Sequence, residues 1–334
     1  MSLPFLSALP LSRHGVDRDH ATRSDAAGLE ALWSGGEARV LLLHRGLALS
    51  VRGAGPVGWD GFGTAPAGST GPVELALRPV TELPDGLRGH RDGVRLYLGR
   101  ALTAEATPLF ALWLTDAEAG LVETEGSNWV NLRLVATMLD DTGAGVFTEA
   151  LAVFNWHATH GHCPRCGAAS VPEAGGWVRR CPVEDIELFP RTDPAVIVGI
   201  IDAEDRILLG SNALWETNRF SLLAGFVEPG ESFEAAAVRE IAEESGVVID
   251  EPEYLGSQPW PFPASIMVGF LARVSAAHPP VLRPDGDEIL ELRWFTREQI
   301  ADPAGDVLLP GRSSIARAII ERWYGGPLPE KAAA

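Results

Sequence analysis

Residues 225–247 read GFVEPGESFEAAAVREIAEESGV. Gly225 is followed after five residues by Glu231, and after seven more by Arg239-Glu240-Ile241-Ala242-Glu243-Glu244-Ser245-Gly246-Val247. Pro229-Gly230 supplies a turn, and a helix is predicted from about Ser232 to Ser245, with Gly246 where a left-handed C-cap is favoured. On that helix Glu240, Glu243 and Glu244 stand at i, i+3 and i+4, on one face. Val238, Ile241 and Ala242 are expected to point the other way and pack on a sheet. Carboxylates so crowded repel one another unless a cation binds between them. Hard, oxygen-loving Mg²⁺ suits the set, with substrate phosphates completing its shell. Arg239 is expected to pair with Glu231 and hold the loop against the helix. The bland alternative is a solvated acidic helix. Against it, seven fixed positions at about 7% usage each recur by chance in about 10⁻⁸ of windows.

Outward from this segment the chain alternates strand and helix. AVIVGIID and RILLG flank a polar turn, FSLLAG reads as a third strand and SIMVGFLARV as another. Ser313 to Trp323 reads as a closing helix, stopped by Gly325-Gly326-Pro327. Residues 1 to about 150 carry strand-like runs, Arg39 to Leu43 and Val94 to Leu98, between Gly/Pro-rich turns. Thr148 to His157 has a helical period. The stretch GAGPVGWDGFGTAPAGSTGP lacks the spacing, lysine and following helix of a phosphate loop, and reads as a loop.

Composition narrows the function classes. A chain of 334 residues, 46% hydrophobic and 22% charged, is globular material for two or three domains. Of 27 basic residues only Lys331 is a lysine, which excludes a P-loop lysine and disfavours Schiff-base catalysis. A formal charge of −18 argues against broad nucleic-acid binding and against an anionic membrane as partner. Three cysteines in so long a chain make no disulfide framework. Apolar runs fall short of the roughly 20 residues that span a bilayer, and MSLPFLSALPLSRHG reads as no signal peptide. A cytoplasmic location is therefore expected.

The 225–247 segment resembles the Nudix box, with no departure from its pattern. That resemblance implies hydrolysis of a nucleoside diphosphate linked to another group, on an α/β/α sandwich with a mixed sheet. It also implies Mg²⁺ or Mn²⁺ held by the box glutamates. Glu240 and Glu244 would ligate metal, Glu243 would support them, and Glu244 would contact or activate water. Glu231 and Arg239 complete the expected catalytic set.

Downstream, residues 257–265 read SQPWPFPAS. Its three prolines impose an extended backbone that is neither helix nor central strand, a stiff mount for Trp260 and Phe262. A rigid aromatic platform with Gln258 and Ser265 beside it suits a flat heteroaromatic ring. A proline-rich loop with core aromatics is the alternative. The segment resembles the signature of the NADH pyrophosphatase subfamily. Substrate contacts would then fall on Gln258, Pro259, Trp260, Pro261, Phe262, Pro263, Ala264 and Ser265. The same resemblance marks Glu288 as a further metal ligand, and Phe189, Ala224, Phe226 and Ala316 as substrate contacts. Arg133 matches a substrate-contacting arginine, or is an ordinary surface arginine.

Cys163-Pro-Arg-Cys166 is a knuckle suited to tetrahedral zinc, and Cys181-Pro-Val-Glu184 follows fourteen residues later. The subfamily has cysteine where this chain has Glu184. Two readings stay open: a structural zinc on three thiolates plus Glu184, His157, His160 or His162, or a decayed site held by packing. Between 158 and 193 there are four arginines against five acids, so the segment is not basic.

The expected organisation is an N-terminal mixed α/β domain (1–157), a zinc-ribbon-like linker (158–192), a Nudix domain (193–325) and a tail (326–334). The reaction implied is attack of water on the pyrophosphate of NADH, and of NAD⁺ or related dinucleotides, to give reduced nicotinamide mononucleotide and AMP, in a homodimer. One alternative keeps the site and removes NAD caps from RNA 5′ ends. The other is a non-catalytic nucleotide sensor, which the full glutamate set disfavours.

Overall fold

A computed structural model describes residues 9–51, 71–89, 93–124, 128–302 and 305–329. Most of the Gly-rich stretch, Lys331 and most of the tail lie outside them. Contacts divide the chain into two units, residues 13–192 with 261–264, and residues 1–12 with 193–260 and 265–334.

The first unit holds β1 (Val16–Asp17), α1 (Ala26–Ser34), β2 (Arg39–His44), β3 (Leu47–Leu49), β4 (Arg78–Pro79), α2 (Asp85–Arg88), β5 (Arg95–Ala101), β6 (Pro108–Trp113), α3 (Asp116–Val122), β7 (Trp129–Asn131), α4 (Leu132–Val135) and α5 (Asp141–Thr159). Its sheet runs β1-β5-β6-β2-β3-β7, with β4 on β2 and only the β2–β6 pair parallel. Val40, Leu42, Tyr97, Phe110 and Leu112 alternate onto one face with Trp33 and are fully or nearly fully buried. Helix α5 begins seven residues before the predicted Thr148. Asp140 caps it by accepting the N–H of Gly143, and a cap before a Gly-containing first turn leaves no apolar period to read. A three-stranded sheet follows: β8 (Val171–Glu173), β9 (Val178–Arg180) and β10 (Glu187–Leu188), in order β10-β9-β8.

The second unit holds β11 (Asp193–Ile201), β12 (Ile207–Asn212), β13 (Leu223–Phe226), α6 (Phe233–Ser245), β14 (Ile249–Trp260), β15 (Ser265–Val274), β16 (Ile289–Phe295), α7 (Arg297–Ala301) and α8 (Ile315–Tyr324). The sheet order is β14-β15-β11-β12-β16, with β13 also on β11. Strands β11 and β15 are parallel and every other pair is antiparallel, so the sheet is mixed.

The apolar run of β11 explains the sandwich. Val196, Val198 and Ile200 face Ala236, Ala237 and Ile241 of α6. Ile197 and Ile201 face Ile315, Ile319 and Trp323 of α8 on the other side. Each such aliphatic side chain contributes about 1.5–3 kcal/mol on burial. Gly199 lets α8 approach, because a Cβ there would sit 2.9 Å from Ile319 Cγ2. Strand β14 is an edge strand, so Pro259 removes no ladder hydrogen bond that the sheet needs. FSLLAG is strand only from Leu223; Ser221 makes an isolated bridge to Gly210. Among the described residues no helix is long and apolar enough to cross a membrane.

Candidate active site

Helix α6 starts on Ser232, whose side chain accepts the N–H of Ala235, and ends on Gly246 at φ 72°. Its buried residues are Ala236, Ala237, Ile241, Glu244 and Ser245. Val238 and Ala242, expected on the packed side, are exposed. The helical period places the buried stripe at 237, 241 and 244–245, one residue round from the predicted one. The glutamates divide accordingly. Glu244 is 5% exposed, Glu240 is half-buried, and Glu243 points outward.

Arg239 ties this helix to the preceding loop. It donates to both oxygens of Glu231, at 2.7 and 2.8 Å, and to the carbonyl of Phe226 at 3.0 Å. It also meets Glu240 and Glu243, each at 2.9 Å. Hydrogen bonds from Arg239, and then from the N–H of Glu228, push the Glu231 carboxyl down to about 2. Gly225 sits where any side chain would collide with the Glu240 carboxylate. Arg239 and Gly225 thus have packing roles of their own in the segment.

Glu244 is the anomaly. Burial first, then the charges of Glu288, Glu240 and Asp285, push its carboxyl up to about 8. Its Oε2 has no hydrogen-bond partner although buried, while the N–H of Ala224 donates to the group. Burial raises Glu240 as well, Glu243 and Glu288 add to that, and Arg239 opposes it. A buried acid with an orphaned oxygen and two acidic neighbours is a donor set that fits a divalent cation. The glutamate oxygens do not all lie within 4.8 Å of one another; among the described residues only the three cysteines do so.

Glu244 and Glu288 line a pocket of about 180 Å³ in the same unit. Trp260, Ala224, Ala316, Trp215 and Asn212 contribute to its walls. Ala316 is 1% exposed and presents the start of α8, where Ser314 accepts its N–H at 3.2 Å. Phe226 is 60% exposed. Gln258, expected as a polar contact, is wholly buried; it donates to the carbonyl of Ser313 at 3.0 Å and accepts from the N–H of Leu11 at 3.3 Å. Its role in the structure is to tie β14 to the loop before α8. Ser265 pairs with Trp260 across the hairpin.

Pro261, Phe262, Pro263 and Ala264 form the turn between β14 and β15 and group with the first unit. There the Arg133 guanidinium lies 4.0 Å over the Phe262 ring. Asn155 donates to the carbonyls of Pro261 and Pro263, each at 3.0 Å. Phe189 is 62% exposed, just after β10.

Cys163, Cys166 and Cys181 bring their sulfurs within 4.8 Å of one another, with Cys166 and Cys181 at 3.5 Å. Glu184, expected as a fourth ligand, is not in the group. Its carboxylate pairs with Arg165 at 3.4 Å, and only its backbone N–H reaches Cys181 Sγ, at 3.3 Å. His157 has both ring nitrogens engaged, with the Gly176 carbonyl and with Arg179, and His160 bonds Thr159. His162 pairs through its backbone with Ala169. The three thiols form a set suited to a soft cation such as Zn²⁺.

Three family descriptions match in tandem. The NUDIX domain covers residues 190–317, the NADH pyrophosphatase zinc ribbon domain residues 158–183, and the NADH pyrophosphatase-like rudimentary NUDIX domain residues 37–156. A protein of Mycobacterium bovis (strain BCG / Pasteur 1173P2) named NAD-capped RNA hydrolase NudC is 38% identical over 329 residues, 95% of this chain and 96% of that one. The chain belongs to the Nudix hydrolases. Its Nudix domain is preceded by the zinc ribbon and rudimentary domain of the NADH pyrophosphatase group. NAD-capped RNA hydrolase NUDT12 of Homo sapiens is 38% identical over 199 residues, 55% of this chain and 42% of that one. A solved Nudix hydrolase of Nitrosomonas europaea, 25% identical, aligns with TM-score 0.39 over 51% of this chain and 96% of that one. Nudix hydrolases use divalent metals.

Sequence reasoning missed Asn212, which lines this pocket, and Asp285, which holds the backbone of Glu288. Asn212 of β12 donates to Glu288 Oε1 at 3.3 Å. Asp285 Oδ1 accepts the N–H groups of Asp287, Glu288 and Ile289 at 2.8–3.0 Å, which positions the Glu288 backbone. The Asp285-Gly286-Asp287 turn was visible as turn chemistry. Asn212 carries no local signal, since only the β12–β16 register brings it to Glu288.

Proposed function

We propose that the enzyme hydrolyses the pyrophosphate bond of NADH, and of NAD⁺ or related dinucleotides, giving reduced nicotinamide mononucleotide and AMP. The observation that carries this is Glu244: a buried acid with an orphaned oxygen at the wall of a pocket that also holds Trp260. Mg²⁺ or Mn²⁺ would be held by Glu240, Glu244 and Glu288. When bound, the ion polarises phosphoryl oxygens and lowers the pKa of coordinated water.

The chain's own residues supply position and charge. Trp260 offers a face for a flat ring, and the pocket, at about 180 Å³, is smaller than the roughly 300–1,000 Å³ that bury a drug-sized ligand. It is sized for a ring rather than a whole dinucleotide. Glu244 holds a proton at neutral pH as long as no cation offsets its burial. Arg239 keeps Glu240 and Glu243 in place from behind and fastens the Glu231 loop. Much of the rate then comes from positioning and charge neutralisation. Phe189, Phe226, Ala224, Ala316, Arg133 and the 258–265 segment remain assigned to substrate contact, Gln258 through the backbone it anchors.

Zn²⁺ at the three cysteines would be structural, staking a short, turn-rich segment with little core of its own. The organisation proposed is an N-terminal domain (1–157), a zinc-ribbon-like linker (158–192), a Nudix domain (193–325) and a tail (326–334). The enzyme would work in the cytoplasm, where free thiols persist, and as a homodimer.

A second reading is favoured by the name of the mycobacterial relative: the same site acting on NAD-capped RNA. The experiment is a product assay. Purified protein is incubated with NADH and Mg²⁺ or Mn²⁺, beside Glu244→Gln, and products are separated by chromatography. Reduced mononucleotide plus AMP, absent with the variant, supports the main reading. No turnover by folded protein overturns it. Capped RNA cleaved in its place, with affinity falling steeply as salt rises, supports the second.

A further inference from the structure

The first unit holds a larger pocket, of about 570 Å³. Trp113, Phe154, His157, Ala158 and Arg179 line it, together with the Thr115–Glu118 cap of α3. Its volume falls within the range of sites that enclose small ligands.

Arg179 is the informative residue. Its side chain belongs to a residue only 9% exposed, and it forms no ion pair among the described residues. Nε donates to Ser170 Oγ at 2.8 Å, Nη2 to the Ser170 carbonyl at 2.6 Å, and Nη1 to His157 Nδ1 at 2.9 Å. Since a guanidinium can only donate, Nδ1 accepts, and the His157 proton sits on Nε2, which donates to the Gly176 carbonyl at 2.8 Å. His157 is thus neutral, as its burial also requires. All three partners orient the guanidinium and none cancels its charge. Five N–H groups less three leaves one on Nη1 and one on Nη2.

Among the described residues the carboxylate at the pocket wall is Glu118, which serves the helix cap. It accepts from the N–H and hydroxyl of Thr115 at 2.8 and 2.9 Å. A buried cation without an anion is costly to keep. Beside it Trp113 and Phe154, 5.7 Å apart and tilted by 60°, form an aromatic wall. We propose that this pocket is a second ligand site, taking a planar ring that bears one anionic group, carboxylate or phosphate, with the anion on Arg179 and the ring against Trp113 and Phe154.

The test is calorimetric titration of the full chain with phenyl phosphate, benzoate and inorganic phosphate. The variants are Arg179→Gln and Ala158→Trp. Ala158 is exposed on α5, so the tryptophan fills the pocket without disturbing the core, and it keeps the test decisive should Arg179→Gln fail to fold. One equivalent of a ring-bearing probe should bind, at least tenfold more weakly to Arg179→Gln and undetectably to Ala158→Trp. Tighter binding of phenyl phosphate marks the anion as phosphate, and tighter binding of benzoate marks it as carboxylate. Three outcomes overturn the proposal: no saturable binding of either ring probe up to roughly 10 mM, binding unchanged in Ala158→Trp, or inorganic phosphate binding as tightly as phenyl phosphate.

Discussion

Replacing Glu244 with glutamine should stabilise the protein in alkaline solution without divalent metal. In the unfolded chain the Glu244 carboxyl has the ordinary value of 4.5, and in the fold it is pushed up to about 8. The folded state therefore holds the proton more tightly. The stability this confers is full below about pH 4.5, is lost progressively as pH rises through 8, and is then absent. A gap of between three and four pKa units sets a ceiling of about 5 kcal/mol. Relaxation and water entry lower that, and about 2 kcal/mol is a fair expectation, or a shift of about 4–8 °C in Tm. Calorimetry on protein dialysed free of Mg²⁺ and Mn²⁺ (but not stripped of zinc) would measure it across pH 5 to 9. Wild type and Glu244→Gln should coincide at the acid end and diverge as pH rises, with the variant more stable. Added Mg²⁺ should reverse the order, because binding stabilises only the chain that can bind. Parallel curves for the two proteins, or a variant less stable at pH 9, would refute the assignment of Glu244 as a buried acid awaiting a cation.

The remaining predictions concern its neighbours. Gly225→Ala should lower NADH hydrolysis more than tenfold with an unchanged far-UV spectrum, since the new methyl displaces the Glu240 carboxylate. Arg239→Lys should not rescue the activity lost in Arg239→Ala, because one ammonium cannot span both Glu231 oxygens as well as Glu240; steady-state kcat of the two variants decides this. Ile319→Ala should cost about 3 kcal/mol in denaturant unfolding, being wholly buried between α8 and β11. Elemental analysis should find one zinc per chain, lost in Cys181→Ser.

The Nudix segment was legible because it is local. A turn, a cap, a helical period and Gly246 all lie within 23 residues, and α6 differs from its prediction only in which side of the stripe is buried. Strand β11 was legible for a related reason: a continuous apolar run has to be covered on both faces, and the sandwich follows. What spacing could not show is where each carboxylate stands. Glu240, Glu243 and Glu244 look equivalent in sequence, yet burial separates the inner pair from the outer one.

Long-range pairing decided the rest. Gln258 sits in a motif that invites a polar contact, but the approach of Leu11 and Ser313 consumes its amide. Glu184 occupies a ligand's place in the spacing, while Arg165 draws its carboxylate off the cysteines. Asn212 and Arg179 have no motif at all; strand register brings the first to Glu288, and the fold buries the second with no anion beside it among the described residues. By itself the sequence determined the elements, the family and the inventory of charged groups, since those depend on near neighbours along the chain. Only the tertiary structure decided which of those groups lose water, because desolvation depends on what the fold lays over them.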